Sequence, residues 1–238
     1  MKKHIPNAIT CLNLFSGCLG IVFAFNGQLH YASYAILIAA VFDFFDGLLA
    51  RLLNAYSDIG KELDSLADMV SFGVLPSVII YHLFLQTDLS DSLGIWLPYS
   101  AFLIAVFSGL RLAKFNIDTR QTEHFIGLPT PANAMLIGSL PLIINQGNSF
   151  MLGYIADPFI LLGLSVGMSL LLVAELPLIS LKFKNLGIKE NFLRYILIIC
   201  SAILLLIINF SAIPVIIALY VILSFVQFRI IHRRPQKI

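Results

Sequence analysis

The feature that most limits what this chain can fold into is a succession of apolar stretches, most of them long enough to cross a bilayer. They fall at about 8 to 27, 31 to 53, 63 to 86, 95 to 115, 131 to 146, 157 to 181, 192 to 210 and 213 to 231, separated by short polar turns. A backbone in hydrocarbon must satisfy its polar groups within its own segment, so such stretches become helices. With 59% of the residues hydrophobic and 12% charged, little remains from which to build a separate soluble domain. The expectation is an all-α, polytopic membrane helical bundle of about eight transmembrane helices, a single integral-membrane domain over residues 1–238. The fifth stretch is short, so it is expected to tilt or to sit where the protein thins the span. No small-residue cleavage pattern follows the first stretch, and MKKHIPN precedes it rather than a long basic region. It therefore reads as a retained span and not a signal peptide.

The basic residues give this arrangement a direction. With eight spans and a cytoplasmic amino terminus, Lys2, Lys3, Arg51, Lys61, Arg111, Lys114, Arg120, Lys182, Lys184, Lys189, Arg194, Arg229, Arg233, Arg234 and Lys237 all fall on or near one side, while the opposite loops carry Asp88, Asp91 and Asp157. Both termini are expected in the cytoplasm, with a basic rim suited to anionic headgroups or a phosphorylated substrate. Topology already explains these charges, and no nucleic-acid motif accompanies them, so nucleic acid is not an expected partner. Cys11, Cys18 and Cys200 lie within apolar stretches without metal-ligand or disulfide spacing and are expected to be small buried hydrophobes.

Against this background the segment DFFDGLLARLLNAYSDIGKELDSLAD, residues 43–68, stands out. Asp43 and Asp46 are three apart and Asp64 and Asp68 four apart, so each pair occupies one helix face. An antiparallel hairpin through NAYSDIG would set the pairs opposite each other at the cytoplasmic boundary. Four unpaired carboxylates there would repel one another and lose hydration, and Arg51 and Lys61 are too few to neutralise them. One or two divalent cations, Mg2+ or Mn2+, would do so through hard oxygen ligands. Acids on facing membrane helices also suit a divalent-cation transporter, but such a path needs polar groups across the whole bilayer, whereas these collect on one side. Gly47, Ala50 and Gly60 keep the neighbouring surface small, which lets a diphosphate or nucleotide approach the backbone; close helix packing uses the same residues.

Asp43, Asp46, Gly47, Ala50, Arg51, Gly60, Asp64 and Asp68 together read D-x-x-D-G-x-x-A-R-x8-G-x-x-x-D-x-x-x-D. This resembles, at every fixed position, the signature of the CDP-alcohol phosphotransferase family. The resemblance implies a six-helix core, about residues 1–190 here, with residues 191–238 adding two helices and a basic tail, and it implies a homodimer. It further implies transfer of a substituted phosphoryl group from a CDP-linked donor to an alcohol, with release of CMP. On that basis Asp43, Asp46 and Asp64 are the principal metal ligands, and Asp68 is the general base with a metal contact of its own. Gly47, Ala50 and Gly60 belong to the nucleotide surface, and Arg51 either contacts phosphate or braces the carboxylates. The opening PNAITCLNLFSG resembles the family's nucleotide side and makes Asn7, Thr10 and Asn13 candidate donor contacts; capping or interhelical hydrogen bonding is the alternative use of these residues.

A later segment, SGLRLAKFNIDTRQTEHFIGLPTPANA, resembles the RxxxFN and FxGLPxP stretches of the CDP-diacylglycerol:serine O-phosphatidyltransferases within that family. The implied reaction is phosphatidyl transfer from CDP-diacylglycerol to L-serine in a membrane of lipid. Arg111 and Lys114 are candidate contacts for an anionic acceptor group or the donor diphosphate. Gly127, Pro129 and Pro131 are expected to make a tight re-entry into the fifth helix. Glycerol 3-phosphate is the alternative acceptor, giving a phosphatidylglycerophosphate synthase; its phosphate should require more basic contacts than serine does.

Overall fold

The computed structural model describes residues 4–87, 94–117, 125–147, 153–155, 157–179, 187 and 191–232. Lys2, Lys3, Asp88, Asp91, Arg120, Lys182, Lys184, Lys189, Arg233, Arg234 and Lys237, part of the expected charge segregation, lie outside the described residues.

The first helix, α1 (His4–Phe25), shows how the bundle is organised. Its buried positions are Pro6, Thr10, Asn13, Ser16, Gly17, Gly20 and Ala24, a small or polar stripe at helical spacing. Its large apolar side chains, Phe15, Val22 and Phe25 among them, are exposed. A water-soluble helix does the reverse; in lipid, small residues let backbones approach and large ones face the acyl chains. Cys11 and Cys18 are on the exposed face and Cys200 is intermediate, so the expectation that all three are buried is corrected. A small apolar thiol is equally at ease against lipid.

Helix α2 (Leu29–Leu52) packs along α1 more extensively than any other pair. The third rod begins earlier than expected because Ser57 caps it, its hydroxyl accepting from Gly60 N at 3.1 Å. It runs without a break from Asp58 to Phe84 as α3 (Asp58–Asp68), a π-helical turn (Met69–Val74) and α4 (Leu75–Phe84). At the end of the turn Leu75 N donates five residues back to Val70 O, and Pro76 follows with no N–H of its own. The turn lies at the centre of the bundle. Gly17 makes this possible, since a Cβ there would stand 2.4 Å from Ser71 Oγ. A 3-10 turn (Leu97–Phe102) leads into α5 (Leu103–Ile117), followed by α6 (Thr130–Asn145) and α7 (Pro158–Val173).

The sixth apolar segment departs from expectation. The helix predicted over 157–181 ends at Val173, where Ala174 turns extended (φ −60°, ψ 138°) ahead of Pro177. Pro177–Leu178 (β2) then pairs antiparallel with Phe125–Ile126 (β1), a two-residue clasp in an otherwise all-α protein. Gly127 permits it: φ is +77°, and a Cβ would meet Leu172 O at 2.5 Å. Of the last two helices, α8 (Phe192–Ile208) and α9 (Ala212–His232), the second anchors the clasp from the other side. Ile179 N donates to Ser224 Oγ at 3.1 Å, and Tyr220 Oη donates to Ile179 O at 3.0 Å.

Eight helical rods are present among the described residues, near the expected positions, but the expectation of eight membrane-spanning lengths is corrected. Among the described residues, four stretches are long and apolar enough to cross a membrane: His4–Phe25, Asp58–Phe84, Leu97–Ile117 and Phe192–Phe228. Helices α6 and α7 have 16 residues each, about 24 Å of rise against roughly 30 Å of hydrocarbon. Helix α2 carries Asp43, Asp46 and Arg51 in its second half. The last stretch is interrupted at Asn209 (φ 50°), where α8 gives way through a short 3-10 turn to α9. The chain is thus a multi-pass membrane helical bundle in which the short helices rely on their neighbours; α6 is mostly buried within it.

Candidate active site

The aspartates sit where α2 and the third rod diverge. Helix α1 packs on both α2 and α3, whereas α2 meets the third rod at the π turn and α4, past Asp68. The expected hairpin is therefore splayed at its mouth. Carboxylate oxygens of Asp43, Asp64 and Asp68 converge there, all within 4.8 Å of one another. Asp46 stands apart from that trio, although its charge acts on the other three. It is 6% exposed, and its Oδ2 has no hydrogen-bond partner among the described residues.

Beside Asp46 and Asp64 opens a cavity of about 220 Å³ lined in part by Asn7, Thr10, Gly47, Ala50 and Gly60. All five are expected donor contacts, and tertiary structure brings them from α1, α2 and α3 to one cavity. Space is kept by the small residues: nothing lies within 4 Å of a Cβ added at Gly47, while at Gly60 it would stand 2.9 Å from Asn7 Oδ1. Thr10 donates to Pro6 O at 3.1 Å and lies against the Asp46 carboxylate. Tyr56, Ser57 and Lys61 also line the cavity, and sequence reasoning did not select them. The available signal was Ser57 three residues before Gly60, a helix start that places NAYS at the mouth.

Other candidates are distributed differently. Asn13 does not line the cavity; its Nδ2 donates to Asp68 Oδ1 at 3.4 Å, and its backbone carbonyl accepts from Ser71 Oγ at 2.9 Å. It therefore orients Asp68 from α1. Arg51 turns back on its own helix, Nε donating to Gly47 O at 2.9 Å, on the exposed side. Arg111 is buried, donates to Thr130 Oγ1 at 3.4 Å and interacts electrostatically with Asp68. Lys114, in the last turn of α5, is exposed. Lys61 Nζ donates to Asn116 O at 3.0 Å, and Asn116 Nδ2 donates to Ser65 Oγ at 2.9 Å, tying α3 to α5 beside the carboxylates.

Three convergent carboxylates and a fourth with an orphaned buried oxygen form a set of hard oxygen donors. That donor set fits a divalent cation, and the trio is a candidate metal-binding cluster.

The chain belongs to the CDP-alcohol phosphatidyltransferase family, whose sequence model matches residues 3–179. It is 40% identical over 147 residues to the CDP-diacylglycerol--serine O-phosphatidyltransferase of Bacillus subtilis (strain 168), covering 60% of this chain and 78% of that one. Identity to the enzyme of the same name from Helicobacter pylori (strain J99 / ATCC 700824) is 33% over 226 residues, 93% of this chain and 90% of the relative. The Mycobacterium tuberculosis (strain ATCC 25618 / H37Rv) enzyme of that name is 34% identical over 209 residues, 83% of this chain and 69% of its own.

Proposed function

We propose that this enzyme transfers a phosphatidyl group from CDP-diacylglycerol to the hydroxyl of L-serine, giving phosphatidylserine and CMP. The observation that carries the reading is the convergence of Asp43, Asp64 and Asp68 next to a cavity that Asp64 shares with Asp46, Gly47, Ala50 and Gly60. The cavity takes the cytidine and its phosphates, with Asn7, Thr10, Tyr56 and Lys61 as polar contacts, while the diacylglycerol part stays in the bilayer. Asp43, Asp46 and Asp64, with Asp68 at the edge, would hold Mg2+ or Mn2+; a bound ion offsets the charge of the diphosphate and of the departing CMP. The serine oxygen attacks the phosphorus that bears diacylglycerol, the bond from that phosphorus to the CMP oxygen breaks, and the Asp68 carboxylate takes the hydroxyl proton. Asn13 keeps that carboxylate oriented. Arg111, electrostatically linked to Asp68, would meet the acceptor's own carboxylate, and Lys114 draws anions to the surface. No protein nucleophile is required.

The catalytic unit on this reading is the whole of residues 1–238, with about 1–190 as the core and 191–238 as an addition that braces it. Both termini and the site face the cytoplasm, a placement supported by the basic residues around the site, and the resemblance supports a homodimer. The reading is tested with purified protein, CDP-diacylglycerol and Mg2+ or Mn2+, offering L-serine and glycerol 3-phosphate separately. CMP and phosphatidylserine should form with serine. Turnover of glycerol 3-phosphate without turnover of serine overturns the acceptor assignment.

A further inference from the structure

Ser108 and Asn133 lie one turn farther into the bundle than Arg111 and Thr130, and the transfer as described leaves them unused. Ser108 and Arg111 are three residues apart on α5, Thr130 and Asn133 three apart on α6, so each pair shares a helix face. The hydrogen bond from Arg111 to Thr130 brings those two faces together. Chain direction then fixes depth: α5 reaches Arg111 near its end, whereas α6 begins at Thr130. Ser108 and Asn133 consequently both lie about a turn inward. Ser108 sits against the π turn, since a Cβ added to Gly73 would stand 3.1 Å from Ser108 Cβ. Helix α6 packs on that same turn.

These groups are deeply buried: Ser108, Thr130 and Asn133 are 0% exposed and Arg111 8%. Among the described residues, Asn133 Oδ1 and Nδ2, Ser108 Oγ and Arg111 Nε have no hydrogen-bond partner. Leaving a buried polar group unmatched is destabilising, and leucine would fill the place of Asn133 without that cost. What the orphans offer is complementary in kind. Arg111 presents N–H donors that suit a carboxylate, while Asn133 Oδ1 and Ser108 Oγ present acceptors that suit an ammonium.

We infer that Asn133 and Ser108 recognise the ammonium group of the acceptor while Arg111 meets its carboxylate, so that these groups select an amino-acid alcohol over alcohols lacking the amino group. The inference rests on the proposed transfer to serine and deepens it by naming residues that determine specificity. Hydrogen-bonding sites discriminate strongly because the wrong ligand leaves their buried groups unpaired.

The test compares wild type with Asn133→Leu, using CDP-diacylglycerol and Mg2+, with L-serine or with 3-hydroxypropanoate, which is serine without its amino group, as acceptor or competing inhibitor. Asn133→Leu should raise KM for serine by about 10-fold or more and narrow the preference for serine by a similar factor, leaving KM for CDP-diacylglycerol unchanged. An unchanged preference overturns the assignment, and so does an equal loss with both acceptors, which marks a packing role. Should Asn133→Leu not fold, Ser108→Ala carries the same comparison, a narrowed preference supporting the inference and an unchanged one overturning it. A wild type that uses glycerol 3-phosphate but not serine sinks the serine reading itself, a result distinct from any variant's failure.

Discussion

At the residue scale, the four aspartates differ more than their regular spacing suggests. Asp68 is the most deeply placed of the converging trio: it is 9% exposed, bonded by Asn13 and electrostatically linked to Arg111. Asp68→Asn keeps size and most of the hydrogen-bonding shape but accepts no proton from the acceptor hydroxyl. We expect retained CDP-diacylglycerol binding with kcat reduced on the order of 100-fold or more, measured at saturating serine and metal. Near-normal kcat would remove Asp68 as the base. Asp46 faces the cavity with an oxygen that has no protein partner among the described residues. Asp46→Asn should raise the metal concentration for half-maximal turnover by about 10-fold or more while barely changing thermal stability. A metal titration superimposable on wild type would show that Asp46 serves the cavity alone.

At the element scale, the site depends on parts that are weak by themselves. The two-residue clasp between β1 and β2 is too short to be stable alone, yet it sets the chain's entry into α6, whose first residue, Thr130, receives Arg111. Gly127 is where that clasp is most exacting, since both its φ of +77° and the carbonyl of Leu172 exclude a side chain. Gly127→Ala should cost about 2 kcal/mol or more, seen as a clear drop in the thermal midpoint in detergent. A midpoint equal to wild type would show that the backbone there relaxes freely. Tyr220 and Ser224 hold the same region from α9, so the last helix braces the part of the fold that carries Thr130. The π turn has a related role, carrying Ser71 to Asn13 and giving α1, α5 and α6 a common surface.

At the scale of the whole molecule, polar groups are concentrated at one end of an otherwise lipid-facing bundle. Arg51, Lys61, Arg111 and Lys114 all occur around the helix ends that hold the aspartates, and the proposed orientation turns those ends to the cytoplasm. Reporters fused to the two termini should both register the cytoplasm. Labelling of the termini on opposite sides would require an odd number of crossings and sink that orientation. The helices too short to span alone would then be carried by the protein around them, as the burial of α6 indicates.

Much of this was legible in the sequence because it depends on local periodicity. Apolar length marked the rods, and spacings of three and four placed Asp43 with Asp46 and Asp64 with Asp68 on shared faces. The residue types of Asn7, Thr10, Gly47, Ala50 and Gly60 anticipated a wall with room for a ligand. Periodicity within one helix says nothing about the distance between two, so it did not distinguish the converging trio from Asp46, nor turn Arg51 back on Gly47. The end of α7 at Val173 also required the partner strand that Phe125–Ile126 supplies. Ser108 and Asn133 read as unremarkable polar residues in apolar helices. Their meaning came from burial beside Arg111 and Thr130, because whether a polar atom finds a partner is decided by neighbours distant in the chain and not by its own segment.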